Sequence, residues 1–167
     1  MTIARALLVL FLLTLTACGF HLRGQAALPF GSLYLQTPND HSPFAIELRG
    51  ALKANHIRLV DKAEEADVIL QIASEFQEKK ILSLAGIGRV REYQLLYHTS
   101  FHAHDQQQVE WLPADELVLT RDLAYDDAQI LAKQQEEVML FENMRSDMVQ
   151  QIIRRLTLAK PHPPAAE

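Results

Sequence analysis

The sequence predicts an α+β fold, a two-layer sandwich in which two helices pack on one face of a four-stranded, mostly antiparallel sheet (β-α-β-β-β-α). Three observations predict it. Two stretches carry apolar residues at helical spacing, the middle of the chain alternates apolar with polar residues, and turn-forming residues separate these runs. A helix with an apolar stripe and a sheet with one apolar face must cover each other. The simplest burial sets both helices on one side of a single sheet and leaves the other side wet.

The elements follow in order. Residues 32–37 (SLYLQT) form a short alternating strand, stopped by Pro38-Asn39-Asp40. Ser42 and Pro43 read as N-cap and first helical residue, Phe44, Leu48, Ala51 and Leu52 recur at helical spacing, and Asn55 suits the C-terminal cap. This spacing predicts a helix of about three turns. In the next run Val68, Leu70, Ile72 and Phe76 share one parity, and Gln71, Glu75, Gln77 and Lys79 the other, as in a strand with one wet face. Residues 85–88 make a loop. Leu95, Tyr97, Phe101 and Ala103 then face one way, and Gln94, His98, Ser100, His102 and His104 the other. After a turn at residues 105–108, a further strand falls within 111–124, its parity obscured near Pro113. Asp126 and Asp127 open a long helix, where acidic side chains cap free amides and complement the dipole. Val138, Phe141, Met148, Ile152 and Leu156 form its apolar stripe, with Arg154, Arg155 and Lys160 toward its C-terminal end.

The N-terminus carries a targeting signal. Arg5 and the terminal amine form a positive n-region, and residues 6–13 (ALLVLFLL) an apolar h-region. That run is too short for a membrane-spanning helix and fits a cleavable signal peptide. It ends in Leu15-Thr16-Ala17-Cys18. Small residues before the cut lie extended in a peptidase groove, and the Cys18 thiol can take a diacylglyceryl group, a pattern that resembles the lipobox of bacterial lipoproteins. The expected organisation is a signal peptide over 1–17, a lipidated linker over 18–31, the folded domain over 32–160 and a disordered tail over 161–167. One acyl chain anchors only marginally, whereas an N-acylated, S-diacylglyceryl Cys18 supplies several. Gly19 in place of Asp favours the outer over the inner membrane, by resemblance to lipoprotein sorting.

Removing residues 1–17 of 167 leaves 150, enough for one domain with a real core. Arg5 leaves with the signal, so the 16 basic residues become 15 against 21 acidic, a net charge of −6. That balance argues against a nucleic-acid partner, which needs a basic face. Cys18 is the only cysteine, so no intramolecular disulfide can form.

Few constellations carry chemistry. His98, His102 and His104 share a strand face, but ligand number argues for a solvated polar surface over a metal site, and no cofactor is expected apart from the covalent lipid. The sequence has no Gly-x-Ser-x-Gly, no His-Glu-x-x-His and no phosphate-cradling glycine loop ahead of a helix, so an enzyme is not expected. Arg89 and Arg91 stand two apart at the start of a strand, where both can point to one face, and planar guanidinium groups suit phosphate.

Cys18-Gly19-Phe20-His21-Leu22-Arg23-Gly24 resembles the lipidated start of the LptE (RlpB) family of lipopolysaccharide-assembly lipoproteins. Glu92-Tyr93-Gln94-Leu95 at a central strand, Arg121 ahead of Tyr125-Asp126, and Leu131-Ala132-Lys133 followed by Gln151-Ile152-Ile153-Arg154-Arg155-Leu156 match in order and spacing. The resemblance implies two helices on a four-stranded sheet and a non-enzymatic role. It also implies a lipoprotein on the periplasmic side of the outer membrane that plugs the lipopolysaccharide-translocating barrel LptD, helps it assemble and binds lipopolysaccharide. Lys133 falls on the family's Leu-Ala-Lys motif and joins Arg89 and Arg91 as the candidate lipopolysaccharide-binding residues. Some members carry a basic residue in the loop before Glu-Tyr-Gln; here residues 85–88 hold none. The alternatives are a generic envelope scaffold lipoprotein binding another protein or peptidoglycan and, behind it, a peptidoglycan enzyme using acidic pairs.

Overall fold

A computed structural model describes residues 28–86 and 88–162. The signal peptide, Cys18, most of the linker and residues 163–167 of the tail lie outside the described residues. Strand β1 (Ser32–Gln36) leads into helix α1 (Pro43–Ala54), a two-residue strand β2 (Arg58–Leu59) and a 3-10 turn (Ala63–Glu65). Strands β3 (Val68–Leu84), β4 (Val90–His104) and β5 (Glu110–Ala124) follow, and a 3-10 turn (Asp127–Gln129) opens onto helix α2 (Ile130–Leu158). The sheet order is β2-β1-β3-β4-β5. The long pairings β3–β4 and β4–β5 are antiparallel, whereas β1 runs parallel to both β2 and β3.

The sheet therefore has five strands and not four. β2 is two residues long and has no room for alternation. It exists because the chain, returning from α1, passes along β1 with Arg58 opposite Ser32 and Leu59 opposite Leu33. The return is made by His56 in the left-handed region (φ 62°), while Ile57 N–H donates to the Leu52 carbonyl at 3.2 Å. Both α1 caps stand where the residues placed them. Ser42 Oγ accepts from Ala45 N–H at 3.1 Å, and Asn55 Nδ2 donates to the Ala51 carbonyl at 2.8 Å.

One core joins the layers. Phe44, Leu48 and Leu52 of α1 and Met144, Met148, Ile152 and Leu156 of α2 close over Leu33, Leu70, Leu95, Tyr97, Phe101 and Leu123 of the sheet, all buried. Phe30, expected in the linker, is buried too and meets the Trp111 ring edge-on at 5.6 Å. At the other end His162, expected in the disordered tail, donates its N–H to the Glu110 carbonyl at 2.7 Å. Packing thus reaches beyond residues 32–160.

Two expected face assignments are overturned. Ile72 lies opposite Phe101 and Ser74 opposite Ser100, so Ala73 is an extra residue, a β-bulge that reverses the faces from Ser74 to Ile81, until Leu82, extra between Ile81 opposite Tyr93 and Ser83 opposite Glu92, restores them. Phe76 consequently turns to the outer face, 48% exposed, and Glu75, Gln77 and Lys79 turn to the helix side. On α2, Val138 is 57% exposed, not part of the buried stripe, because burial begins only at Met144; Phe141 is half-buried. Asp126 accepts from Ala128 N–H at 2.9 Å and caps the 3-10 turn, so the α-helix proper starts at Ile130. The ambiguity near Pro113 is another bulge. Ala103 faces Leu112 and Phe101 faces Asp115, on an edge strand that tolerates a residue without an N–H.

Candidate functional site

Arg89 and Arg91 lie where β3 turns into β4, and Lys133 lies on a separate element, in the first turns of α2. Gly88 makes the turn with φ 79°, a conformation that strains any side chain, while its N–H donates to the Ala85 carbonyl at 2.9 Å. Arg89 follows, exposed. Arg91 is also exposed and is itself a bulged residue, since Leu84 pairs with Val90 and Ser83 with Glu92. Its carbonyl accepts from Tyr125 N–H at 2.8 Å, which ties the start of β4 to the residue leading into α2. Simple strand alternation across Val90 therefore does not govern where the two guanidinium groups point.

Lys133 stands on the first turns of α2 and is a different kind of cation. Its ammonium donates to Glu136 at 2.8 Å, and its side chain is only 18% exposed. A second lysine lies beneath the same stretch of helix. The bulge at Ala73 brings Lys79 to the helix side, where its Nζ pairs with Glu137 and sits 4.1 Å from the centre of the Tyr93 ring and 5.9 Å from that of Tyr125. The two tyrosines meet edge-on at 5.1 Å. Tyr93 of the Glu-Tyr-Gln motif is thus the floor for Lys79. Sequence parity had placed Lys79 on the wet face, and only the Phe76-to-Lys79 reversal could have revealed it.

Exposed apolar side chains crowd this end. Ile81, Leu82 and Leu84 on β3 are 59%, 46% and 57% exposed, and Leu131 on α2 is 78% exposed. The exposed Arg89 and Arg91 stand on the same hairpin as Ile81, Leu82 and Leu84.

The histidines divide. His102 and His104 stack at 5.7 Å on the outer face, and His104 Nδ1 lies 2.8 Å from the Asp105 carbonyl. His98 stacks on Phe76 at 4.5 Å, with Glu116 3.1 Å from Nδ1 and Glu78 3.9 Å from Nε2. The two carboxylates flank opposite sides of the ring, so they cannot share one ion with it. Among the described residues no cluster of three potential metal ligands forms. A cavity of about 390 Å³ opens where β1 parts from β3, lined by Thr37, Ser42, Phe44 and Glu75 among others. Its carboxylate, Glu75, accepts from the buried Tyr97 hydroxyl, whose titration is pushed up by burial and by that carboxylate. No nucleophile with an adjacent base lines it.

A family model described as LptE, lipopolysaccharide-assembly, matches residues 30–156, from the buried Phe30 to the last core residue of α2. The chain belongs to the LptE family. It is 29% identical over 158 residues to the LPS-assembly lipoprotein LptE of Yersinia pestis, covering 90% of this chain and 73% of that one. The solution structure of an uncharacterized lipoprotein B from Nitrosomonas europaea is similar at a TM-score of 0.72 and 40% identity, covering 83% of this chain and 90% of that one. The rare lipoprotein B from Shewanella oneidensis is similar at 0.66 and 26%, covering 74% and 92%. LptE membership places the chain in lipopolysaccharide assembly, and two helices on a sheet are the shared architecture. Among the described residues no helix is long and apolar enough to cross a membrane.

Proposed function

We propose that this chain is an outer-membrane lipoprotein, held by an acylated Cys18 on the periplasmic side, that plugs the LptD barrel, helps it assemble and binds lipopolysaccharide at the hairpin end. The observation that carries the reading is the pairing, at one end of the fold, of exposed apolar residues on β3 and α2 with the exposed Arg89 and Arg91. Lipopolysaccharide presents phosphates on a sugar–acyl body, and guanidinium groups bind phosphate bidentately. Lys133 contributes after giving up Glu136, which makes it a weaker contributor than the arginines. A large apolar exposure is costly in an isolated domain and fits a surface enclosed by a partner. Membership in the lipopolysaccharide-assembly family supports the same partners. No cofactor takes part, and the domain acts by binding.

Affinity-tagged chain purified from detergent-solubilised outer membranes tests the partner. The expected result is a stable complex with a barrel of much larger mass. Recovery of the chain with peptidoglycan or with an unrelated envelope protein instead would establish the scaffold reading, and turnover of muropeptides would establish an enzyme.

A further inference from the structure

Four side chains from separate parts of the chain share one end of the outer sheet face. Leu70 and Ala103 are paired and buried, so their neighbours Gln71, His102 and His104 point away from the helices. His104 lies opposite Glu110 of β5, and Glu110 lies opposite His162 in the isolated antiparallel bridge. The extra residue between Leu112 and Glu110 is Trp111, whose ring packs on Phe30 in the core, so Glu110 keeps the outer face. Opposed residues share a face, with Cβ atoms about 4.5–5.5 Å apart. His104, Glu110 and His162 therefore form a row across β4, β5 and the C-terminal segment, with His102 one pleat along from His104.

The two strand histidines already stand as a chelating pair. Their rings stack at an interplanar angle of 20°, with centres 5.7 Å apart. His104 Nδ1 lies 2.8 Å from the Asp105 carbonyl oxygen, which can only accept. The proton therefore sits on Nδ1, and Nε2 presents its lone pair. The Gln108 amide approaches the same nitrogen only to 3.4 Å, and the shorter contact decides the tautomer. A hydrogen bond of this kind fixes the tautomer and direction of metal-binding histidines. Both rings are half-buried, whereas Glu110 and His162 are exposed and can turn toward them.

We infer that His102, His104 and Glu110 bind a divalent transition ion of the zinc class, and that His162 closes the site as fourth ligand. Imidazole nitrogens with one carboxylate suit zinc, which takes four such ligands tetrahedrally. They do not suit magnesium or calcium, which prefer oxygen. Among the described residues no three potential ligands converge as the side chains stand, and the step that completes the set is rotation of the exposed Glu110 and His162 side chains. The bound ion has a structural part to play. The C-terminal segment meets β5 through a single bridge, and ligation through His162 gives it a second attachment. This site lies on the outer face, away from Arg89 and Arg91, and its test does not depend on lipopolysaccharide or the barrel.

The test titrates zinc into the untagged full chain in detergent solution, by calorimetry and by thermal melting. One equivalent should bind by roughly 100 µM zinc and raise the melting temperature, since an ion held only by the folded chain stabilises it. Magnesium should do neither. His102→Ala and His104→Ala should each weaken zinc binding at least about tenfold, and Glu110→Gln and His162→Ala by a smaller factor. His98→Ala, on the same strand but outside the row, should leave the affinity unchanged. No binding at that concentration, wild-type affinity in both folded strand variants, or equal weakening by His98→Ala overturns the inference. Should a variant unfold, nitrogen-isotope-labelled imidazole spectra of the wild type decide without any substitution. Zinc should move the Nε2 signals of His102 and His104 to metal-bound positions and leave those of His98 in place. Signals of His102 and His104 that stay still while one equivalent of zinc binds are the overturning result.

Discussion

Arg145 of α2 donates from Nε to the Glu47 carboxylate of α1 at 2.8 Å, and the hydroxyl of the next residue, Ser146, donates to the other oxygen of the same carboxylate. One acidic side chain on the first helix thus grips two consecutive residues of the second, 98 and 99 positions further along the chain. The contact sets where the helices meet above the sheet, at the level where α2 first becomes buried. Above it the front half of α2 is held by Lys79 and Glu137 and by the partly buried Leu140 and Phe141.

A double-mutant cycle with Glu47→Ala and Arg145→Ala should give a coupling of about 0.5–1 kcal/mol by urea unfolding, since both groups are partly exposed. Glu47→Ala alone should cost slightly more than Arg145→Ala, because it also strands the Ser146 hydroxyl. A coupling indistinguishable from zero means apolar packing alone sets the helix pair.

The bulge at Ala73 makes a prediction opposite to that of strand parity. Leu70→Ala removes a fully buried side chain and should cost about 2–5 kcal/mol. Phe76→Ser, on the outer face, should cost less than about 1.5 kcal/mol, from the lost stack on His98 and partial burial. Similar losses for the two would put Phe76 in the core and remove the bulge.

Asp67 links acid stability to the start of β1. The Ser32 side chain and backbone, and the Gly31 amide, hold the Asp67 carboxyl below its ordinary value of 3.8. A carboxyl depressed in the folded state stabilises above its unfolded pKa, and that stability is lost as pH falls through the folded value. Wild type should therefore lose stability below about pH 4 more steeply than Asp67→Asn, whose overall stability at pH 7 should be lower. Parallel melting curves from pH 5 down to pH 2 count against the link.

Replacing Arg89, Arg91 and Lys133 together with Ala should weaken lipopolysaccharide binding at least tenfold, since each charge-assisted contact is worth about 1.5–3 kcal/mol where water is excluded and less where it is not. The melt should hardly change, because none of the three is a core residue. Added salt should weaken the wild type more than the triple variant, as screening acts on exposed charges. Lys133→Ala alone should have the smallest effect of the three single changes, given its pairing with Glu136. Unchanged affinity in the folded triple variant would show these cations to be solvated strand and helix ends.

By itself the sequence determined what the covalent chain sets within one turn or one pleat. The caps of α1 at Ser42 and Asn55, the alternation of Leu95, Tyr97, Phe101 and Ala103, and the stripe through Met148, Ile152 and Leu156 are spacings of two to four residues, and the structure keeps them. The expectation of a lipidated Cys18 also rests on a local string, and it lies outside the described residues. Tertiary structure decided whatever depends on a partner strand or helix many residues away. β2 exists because β1 is there to pair with, and the single extra residue at Ala73 sends Phe76 outward and Lys79 under α2. Glu78 and Glu116 reach His98 from neighbouring strands, and β5 is an edge only because nothing follows it in the sheet order. A period-two pattern states that faces alternate but not where one residue is inserted, and an insertion shows itself only when two strands are laid side by side.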